Sequence, residues 1–278
     1  MSDANFRIHS VRDPLNPKQA ASNGNLFHYG HFILDFALPF LKFFQERVIT
    51  TLTLPPNAHF GTMKAIFVQI YPGIKVVETS ANEGGDGVTT PLTVKGYCRS
   101  NFHTDLCAET DAFHNYVIDR ALASMVEPVP VYPEIILIQR GKARLYKGHS
   151  NGTSRRSIEN HNQLVETLTR EYGDKFKNLV LENIPFYQQV LYFYHARVVI
   201  GQYGSGLVNV LWMRPETTCI GLTTGNLDTR DPVFIKCCQA RDVKYIPIHC
   251  GSKTGTSWRV PINKLLDVLV TLFSRREN

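Results

Sequence analysis

Residues 197 to 209 read RVVIGQYGSGLVN. The run Arg197 to Gly201 is apolar without period-two alternation, which describes a strand covered on both faces, as in the parallel sheet of a layered α/β domain. The turn Gly201-Gln202-Tyr203-Gly204-Ser205-Gly206-Leu207-Val208-Asn209 then leads into a helix expected near Leu207 to Met213. Small residues at such a junction let backbone N–H groups approach an anion, and a helix start adds unpaired donors and a partial positive charge. The turn is not GxGxxG, and taken alone it reads equally well as a tight turn.

On both sides of this stretch the alternation continues. IILIQ (135 to 139), NLVLE (178 to 182), TCIGL (218 to 222) and KYIPIH (244 to 249) read as strands, and Ser157 to Tyr172 and Phe186 to His195 as helices. Pro261 to Phe273 reads as an amphipathic helix with Leu265, Leu266, Leu269 and Leu272 inward. The sharpest composition break is EPVPVYPE, residues 127 to 134, whose prolines stiffen the path and mark an interdomain linker. The expected domains are therefore residues 1–128 and 129–278, with the last helix, about 261–278, a candidate to pack back on the N-terminal domain. In the first half, Phe27 to Phe44 and Asp111 to Met125 read as helices, and KAIFVQ (64 to 69) and KVVE (75 to 78) as buried strands.

A chain of 278 residues with 43% hydrophobic content can bury a substantial core, so disorder is excluded. Thirty Lys plus Arg against 24 Asp plus Glu favour anionic partners, but the surplus is scattered. A small phosphorylated ligand suits it better than a nucleic acid track. The six cysteines form no CxxC pair and suggest reduced thiols. The opening MSDANFRIHS lacks a signal-peptide pattern, and no run of 18 apolar residues occurs, so a soluble cytoplasmic protein without an integral membrane segment is expected. In that compartment the sequon Asn151-Gly152-Thr153 has no role.

Arg140 closes the strand IILIQR, and Arg155-Arg156 precede a helix carrying Asn160. Guanidinium forks there could grip a diphosphate bidentately, whereas basic residues at a helix start oppose its dipole and make a purely structural role less comfortable. In the helix formed by HYGHFILDFALP, His28, His31 and Asp35 follow i, i+3, i+7 spacing and share a face. A carboxylate or imidazole can take a proton from an attacking hydroxyl. Asp35 is the favoured base, since a carboxylate also stabilises positive charge, and His31 is its rival. Satisfied polar residues at a helix–loop junction are the bland alternative. A metal site on His28 and His31 is another, though HxxH lacks the Glu and i+4 spacing of HExxH. Arg99, His103 and Asp105, in RSNFHTD, border the first half's polar loops as acceptor-side candidates.

The motifs IQR, RRSIENHNQLVETL and FYQQVLYFYHARVVIGQYGSGLVNVLWMRP, between Ile138 and Leu222, together resemble the catalytic domain of glycosyltransferase family 61. HYGHFILDFALPFL is more loosely similar to that family's aromatic-rich H-x-x-x-D-x-L-P segment. The resemblance implies an α/β GT-B fold, two Rossmann-like lobes facing a cleft, and inverting transfer from a UDP-sugar to a glycan hydroxyl. Of the family's sugars, xylose, arabinose and N-acetylglucosamine, xylose is the expected one. Carried over by position, the donor site comprises Arg140, Arg156, Asn160, Gln189, Gly204, Ser205, Gly206, Leu207 and Asn209, to which the residue reading adds Arg155. Two positions depart from the pattern: Tyr203 stands where the family usually has His, still able to donate to a phosphate, and Gly221 where an acidic residue is usual. The chain has no Asp-x-Asp, so neither metal nor other cofactor is expected, and arginines and the helix start would hold the diphosphate. The competing functions are a catalytically silent nucleotide- or glycan-binding module and a metal-dependent hydrolase centred on His28 and His31.

Overall fold

The computed structural model describes residues 5–12, 29–46, 48–54, 61–78, 90–95, 105–126, 130–140, 157–224, 233–251 and 257–274. The chain divides into two compact units, Met1–Arg120 and Ala121–Asn278.

The first unit is built on β1 (Asn5–Arg12), β2 (Thr51–Leu54), β3 (Lys75–Glu78) and β4 (Thr90–Lys95), a parallel sheet in the order β3-β2-β1-β4. Between β1 and β2 runs a helical stretch of three parts: α1 (Tyr29–Phe32), a π-helical turn (Ile33–Ala37) and α2 (Leu38–Glu46). Phe32, Phe36 and Phe40 recur every four residues and are fully buried, so they form one stripe along it. That stripe meets α3 (Met63–Ile70) through Phe67 and then Tyr71, with Phe40 and Phe67 centroids 5.5 Å apart and Phe40 and Tyr71 5.0 Å apart. α4 (Asp105–Ala123) joins through Tyr116, which stacks on Tyr71 and donates to the Ile70 carbonyl at 2.8 Å.

The second unit continues with β5 (Ile135–Gln139), β6 (Ser157–Ile158), α5 (His161–Tyr172), β7 (Phe176–Val180), α6 (Phe186–His195) and β8 (Val198–Gln202). A 3-10 helix (Ser205–Trp212), β9 (Thr218–Thr223), α7 (Val233–Ala240), β10 (Lys244–His249), β11 (Ser257–Trp258) and α8 (Ile262–Ser274) complete it. Five strands form a parallel sheet in the order β10-β9-β8-β5-β7, while β6 and β11 pair separately. β8 and β9 are buried along their whole length, as expected of strands covered on both faces. α8 buries Leu265 and Leu269, with Leu266 and Leu272 only half-buried. Its last turn is held by Arg197, whose guanidinium lies 4.3 Å over the Phe273 ring and donates to the Leu272 carbonyl.

Three expectations are corrected. KAIFVQ lies in α3, not in a strand: Phe67, Ile70 and Tyr71 are buried at i, i+3, i+4 spacing while Val68 is exposed. Ser157 and Ile158 belong to β6, so α5 starts only at His161. The segment after the glycine-rich turn is a 3-10 helix from Ser205 rather than an α-helix from Leu207. β1, β2, β4, β11 and α7 lie outside the elements read from the sequence, and β7 spans Phe176–Val180, so the last two residues of NLVLE fall in the 3-10 turn Leu181–Asn183. Cys219, Cys237, Cys238 and Cys250 are buried and form no disulfide among the described residues.

Gly221 lies inside β9 with the Tyr245 ring of β10 over it, and a Cβ there would meet the Tyr245 hydroxyl and stand 2.7 Å from Cε2. No side chain, acidic or otherwise, fits beneath that ring unless it swings out. Gly221→Ala should therefore cost about 1–3 kcal/mol by overpacking, and less in a Tyr245→Ala background. Chemical denaturation of the four proteins of this cycle measures it; equal costs in both backgrounds would clear Tyr245 as the obstacle.

Candidate functional site

In the second unit, chain order and sheet order disagree at one place. From β5 the chain steps outward to β7, then returns past β5 to β8 and continues to β9 and β10. The carboxyl ends of β5 and β8 thus flank the reversal point, where open parallel sheets bind their ligands. Arg140 directly follows β5, half-buried, and Tyr203 and Gly204 follow β8. A Cβ on Gly201 would stand 2.8 Å from Leu207 Cδ2 and 2.9 Å from Ile138 Cδ1, so the bare backbone of β8 lets Leu207 seat on the sheet. The Leu207 N–H closes the turn onto the Gly204 carbonyl at 2.9 Å. The first N–H groups of a helix have no acceptor within it, so Ser205 and Gly206 present donors at this edge, with Ser205 itself exposed.

The three amides assigned to the donor site bond to the scaffold. Asn160 is buried and grips the Val260 backbone twice, Nδ2 donating to the carbonyl at 2.9 Å and Oδ1 accepting from the N–H at 3.0 Å. Gln189 Nε2 donates to the carbonyls of Leu181 and Ile184, tying the start of α6 to the end of β7. Asn209, with no exposure, donates to the Gly206 carbonyl and accepts from Trp212 Nε1 at 3.0 Å. Tyr203 is buried with its ring edge-on to Phe234, centroids 4.7 Å apart. In the geometry, then, Arg140 and the turn Gly204 to Leu207 lie at the carboxyl ends of β5 and β8, while Asn160, Gln189 and Asn209 are bonded into the surrounding scaffold and Tyr203 is packed within it. Arg155 and Arg156 lie outside the described residues.

In the first unit, His31 Nδ1 and Asp35 Oδ2 are 2.7 Å apart, and the two side chains keep 31% and 17% of their surface exposed. The bond spans the junction of α1 and the π-turn, where the Leu38 N–H reaches the Ile33 carbonyl. Single π-turns inside α-helices recur at functional sites. Here Tyr71 braces the turn, its hydroxyl donating to the Ala37 carbonyl, and burial pushes the Tyr71 pKa well up so that this donor keeps its proton. The π-turn packs beside β4. In the first sheet, too, sequence order reverses around β1, with β2 on one side and β4 on the other. His28, Arg99 and His103 lie outside the described residues, and Asp105 is the first residue of α4. No group of three or more His, Cys, Asp or Glu placed to hold a metal ion occurs among the described residues.

A family model described as Glycosyltransferase 61 matches residues 29–220, more than half of the chain. The chain belongs to glycosyltransferase family 61. The match begins at the first residue of α1 and ends within β9, so it takes in the His31–Asp35 pair, Arg140 and the Gly204 to Leu207 turn. Membership makes the protein a glycosyltransferase, with a sugar donor and a glycan acceptor as partners. No curated protein matches the chain. Among the described residues no helix is long and apolar enough to cross a membrane.

Sequence reasoning had no signal for the partner of Asn160, which is a hundred residues away. Asn160→Ala removes both bonds and strands the buried Val260 N–H, so it should cost about 1–3 kcal/mol. Urea denaturation checks this, and an unchanged midpoint would mean that the pair contributes nothing to folding.

Proposed function

We propose that this family member is an inverting, metal-independent transferase of the GT-B type that moves a sugar, xylose by expectation, from a UDP-sugar to a glycan hydroxyl. The observation that carries the mechanism is the bond between His31 and Asp35. A neutral imidazole that donates from Nδ1 to a carboxylate carries its lone pair on Nε2, and the carboxylate fixes the ring and stabilises the imidazolium that forms. On this reading His31 is the base and Asp35 orients it, which exchanges the roles favoured from sequence alone. The acceptor oxygen attacks the anomeric carbon, the bond from that carbon to the diphosphate oxygen breaks, the acceptor proton passes to Nε2, and UDP leaves with the bonding electrons. Displacement from the opposite face inverts the configuration.

The leaving diphosphate is assigned to Arg140, Arg155, Arg156 and the donors of the Gly204 to Leu207 turn. Charge-assisted bonds to fixed guanidinium groups stabilise the developing negative charge without a cation. The absence of Asp-x-Asp from the sequence supports metal independence. What supports the GT-B assignment is that each unit, taken singly, is built on a parallel sheet in which sequence order reverses once. The N-terminal unit is then the acceptor side and the C-terminal unit the nucleotide-sugar side.

Activity with a UDP-sugar, found by screening a panel of nucleotide sugars for hydrolysis and thermal stabilisation, should persist in excess EDTA. Loss of activity that added divalent metal restores would overturn the metal-independent mechanism. His31→Ala should lower transfer by roughly 10²- to 10⁴-fold with UDP affinity unchanged, and Asp35→Asn should lower it less. The reverse order, near-normal transfer by His31→Ala beside a collapse in Asp35→Asn, would return the role of base to Asp35.

A further inference from the structure

A cavity of about 530 Å³ opens where β11 passes the start of α5, lined by Glu159 to Gln163 on one side and by Arg259 on the other. The Arg259 backbone is fixed from three directions. Ahead of it the Trp258 carbonyl accepts from the Glu159 N–H at 2.8 Å, behind it Val260 is gripped by Asn160, and its own N–H donates to the Gly251 carbonyl at 2.8 Å. The side chain, by contrast, is exposed, and its guanidinium forms no hydrogen bond or ion pair among the described residues. Arg197 shows the opposite case, its guanidinium engaged by Glu134, the Leu272 carbonyl and the Phe273 ring. An arginine whose backbone is anchored, which lines a cavity and whose side chain braces nothing among the described residues is available to a ligand.

The chemistry of the cavity selects an anion. Its other wall is the first turn of α5, a helix of twelve residues whose first internal bond is Leu164 N–H to the Asn160 carbonyl, leaving earlier N–H groups without acceptors in the helix. His161 is held neutral, burial lowering its pKa, so the positive charge comes from Arg259. Glu159 is the one carboxylate of the lining and is exposed. The position is also fixed by topology. α5 follows β5 and α8 follows β10, so the start of α5 and the residues just before α8 both belong to the carboxyl edge of the five-stranded sheet, as do Arg140 and Gly204.

We infer that Arg259 is a further donor-binding residue that contacts a phosphoryl oxygen of the nucleotide diphosphate. This rests on the reading that the second unit binds a nucleotide diphosphate. Arg259 lies beyond the residues that the family model matches, so it would be a feature of this chain's own C-terminal segment.

Calorimetry of Arg259→Ala, Arg259→Lys and Arg140→Ala with UDP, uridine and inorganic pyrophosphate tests it. Arg259→Ala should keep the wild-type melting temperature, bind UDP at least tenfold more weakly and leave uridine affinity unchanged. Arg259→Lys should fall between the two, because an ammonium keeps the charge but loses the fork. Stabilisation by pyrophosphate should shrink in step. If UDP affinity is unchanged in a folded Arg259→Ala while Arg140→Ala weakens it, the inference fails and the nucleotide-binding reading stands. If the wild-type protein binds neither UDP nor pyrophosphate, both fail.

Discussion

Leu207 can lie on the sheet because position 201 carries no side chain. The contact space that a Cβ would take, within 3 Å of both Leu207 and Ile138, is what lets the 3-10 helix sit down across the carboxyl ends of β5 and β8. Everything after it follows from that seating. Asn209 is drawn under the turn to meet Gly206 and Trp212, and Trp212 meets Phe186 edge-on at 6.0 Å, which sets the start of α6. Gln189 then ties α6 to the end of β7. One missing side chain thus propagates through four elements to the rim on which Arg140 stands.

The polar residues near that rim divide their labour by chemistry. Amides carry both a donor and an acceptor and lose little when both are satisfied, so Asn160, bonded to backbone, and Asn209, bonded to the Gly206 carbonyl and the Trp212 indole, can be buried at low cost. A guanidinium cannot be treated this way without a partner anion, since stranding a charge is expensive. The arginines toward the carboxyl edge are accordingly left half-buried or exposed, as at Arg140 and Arg259. The amides give this edge its rigidity, and the cations leave positive charge at its surface.

Much of the second unit was legible because its strands are covered on both faces. IILIQ and the helix Phe186 to His195 have the bounds read from the sequence, since an unbroken apolar run or a strong helical period leaves little choice, and KYIPIH keeps its bounds although β10, at the edge of the sheet, is largely exposed. The first unit was harder for physical reasons. NFRIHSVR mixes charge into β1, TLTL is only four residues long, and α3 is so apolar that its helical period hides among residues any strand would accept. For the site, the four-residue step from His31 to Asp35 was visible, but which of the two faces the other through Nδ1 is a matter of side-chain geometry. The Asn160–Val260 pair joins segments with no local pattern between them, and Arg259 gained a meaning only when that pair placed it beside α5.

The π-turn at Ile33–Ala37 holds one residue more than an α-helical turn does. That residue, about 100° of helix, is taken up inside the turn, so the faces of Tyr29–Phe32 and Leu38–Glu46 stay aligned on one aromatic stripe. Removing one residue there would restore a regular helix without turning either flank. What it would change is local: a residue lost between His31 and Asp35 would leave them three apart and swing the carboxylate about the axis away from the imidazole. The extra residue acts as slack in the backbone, taken up where the ring meets its carboxylate.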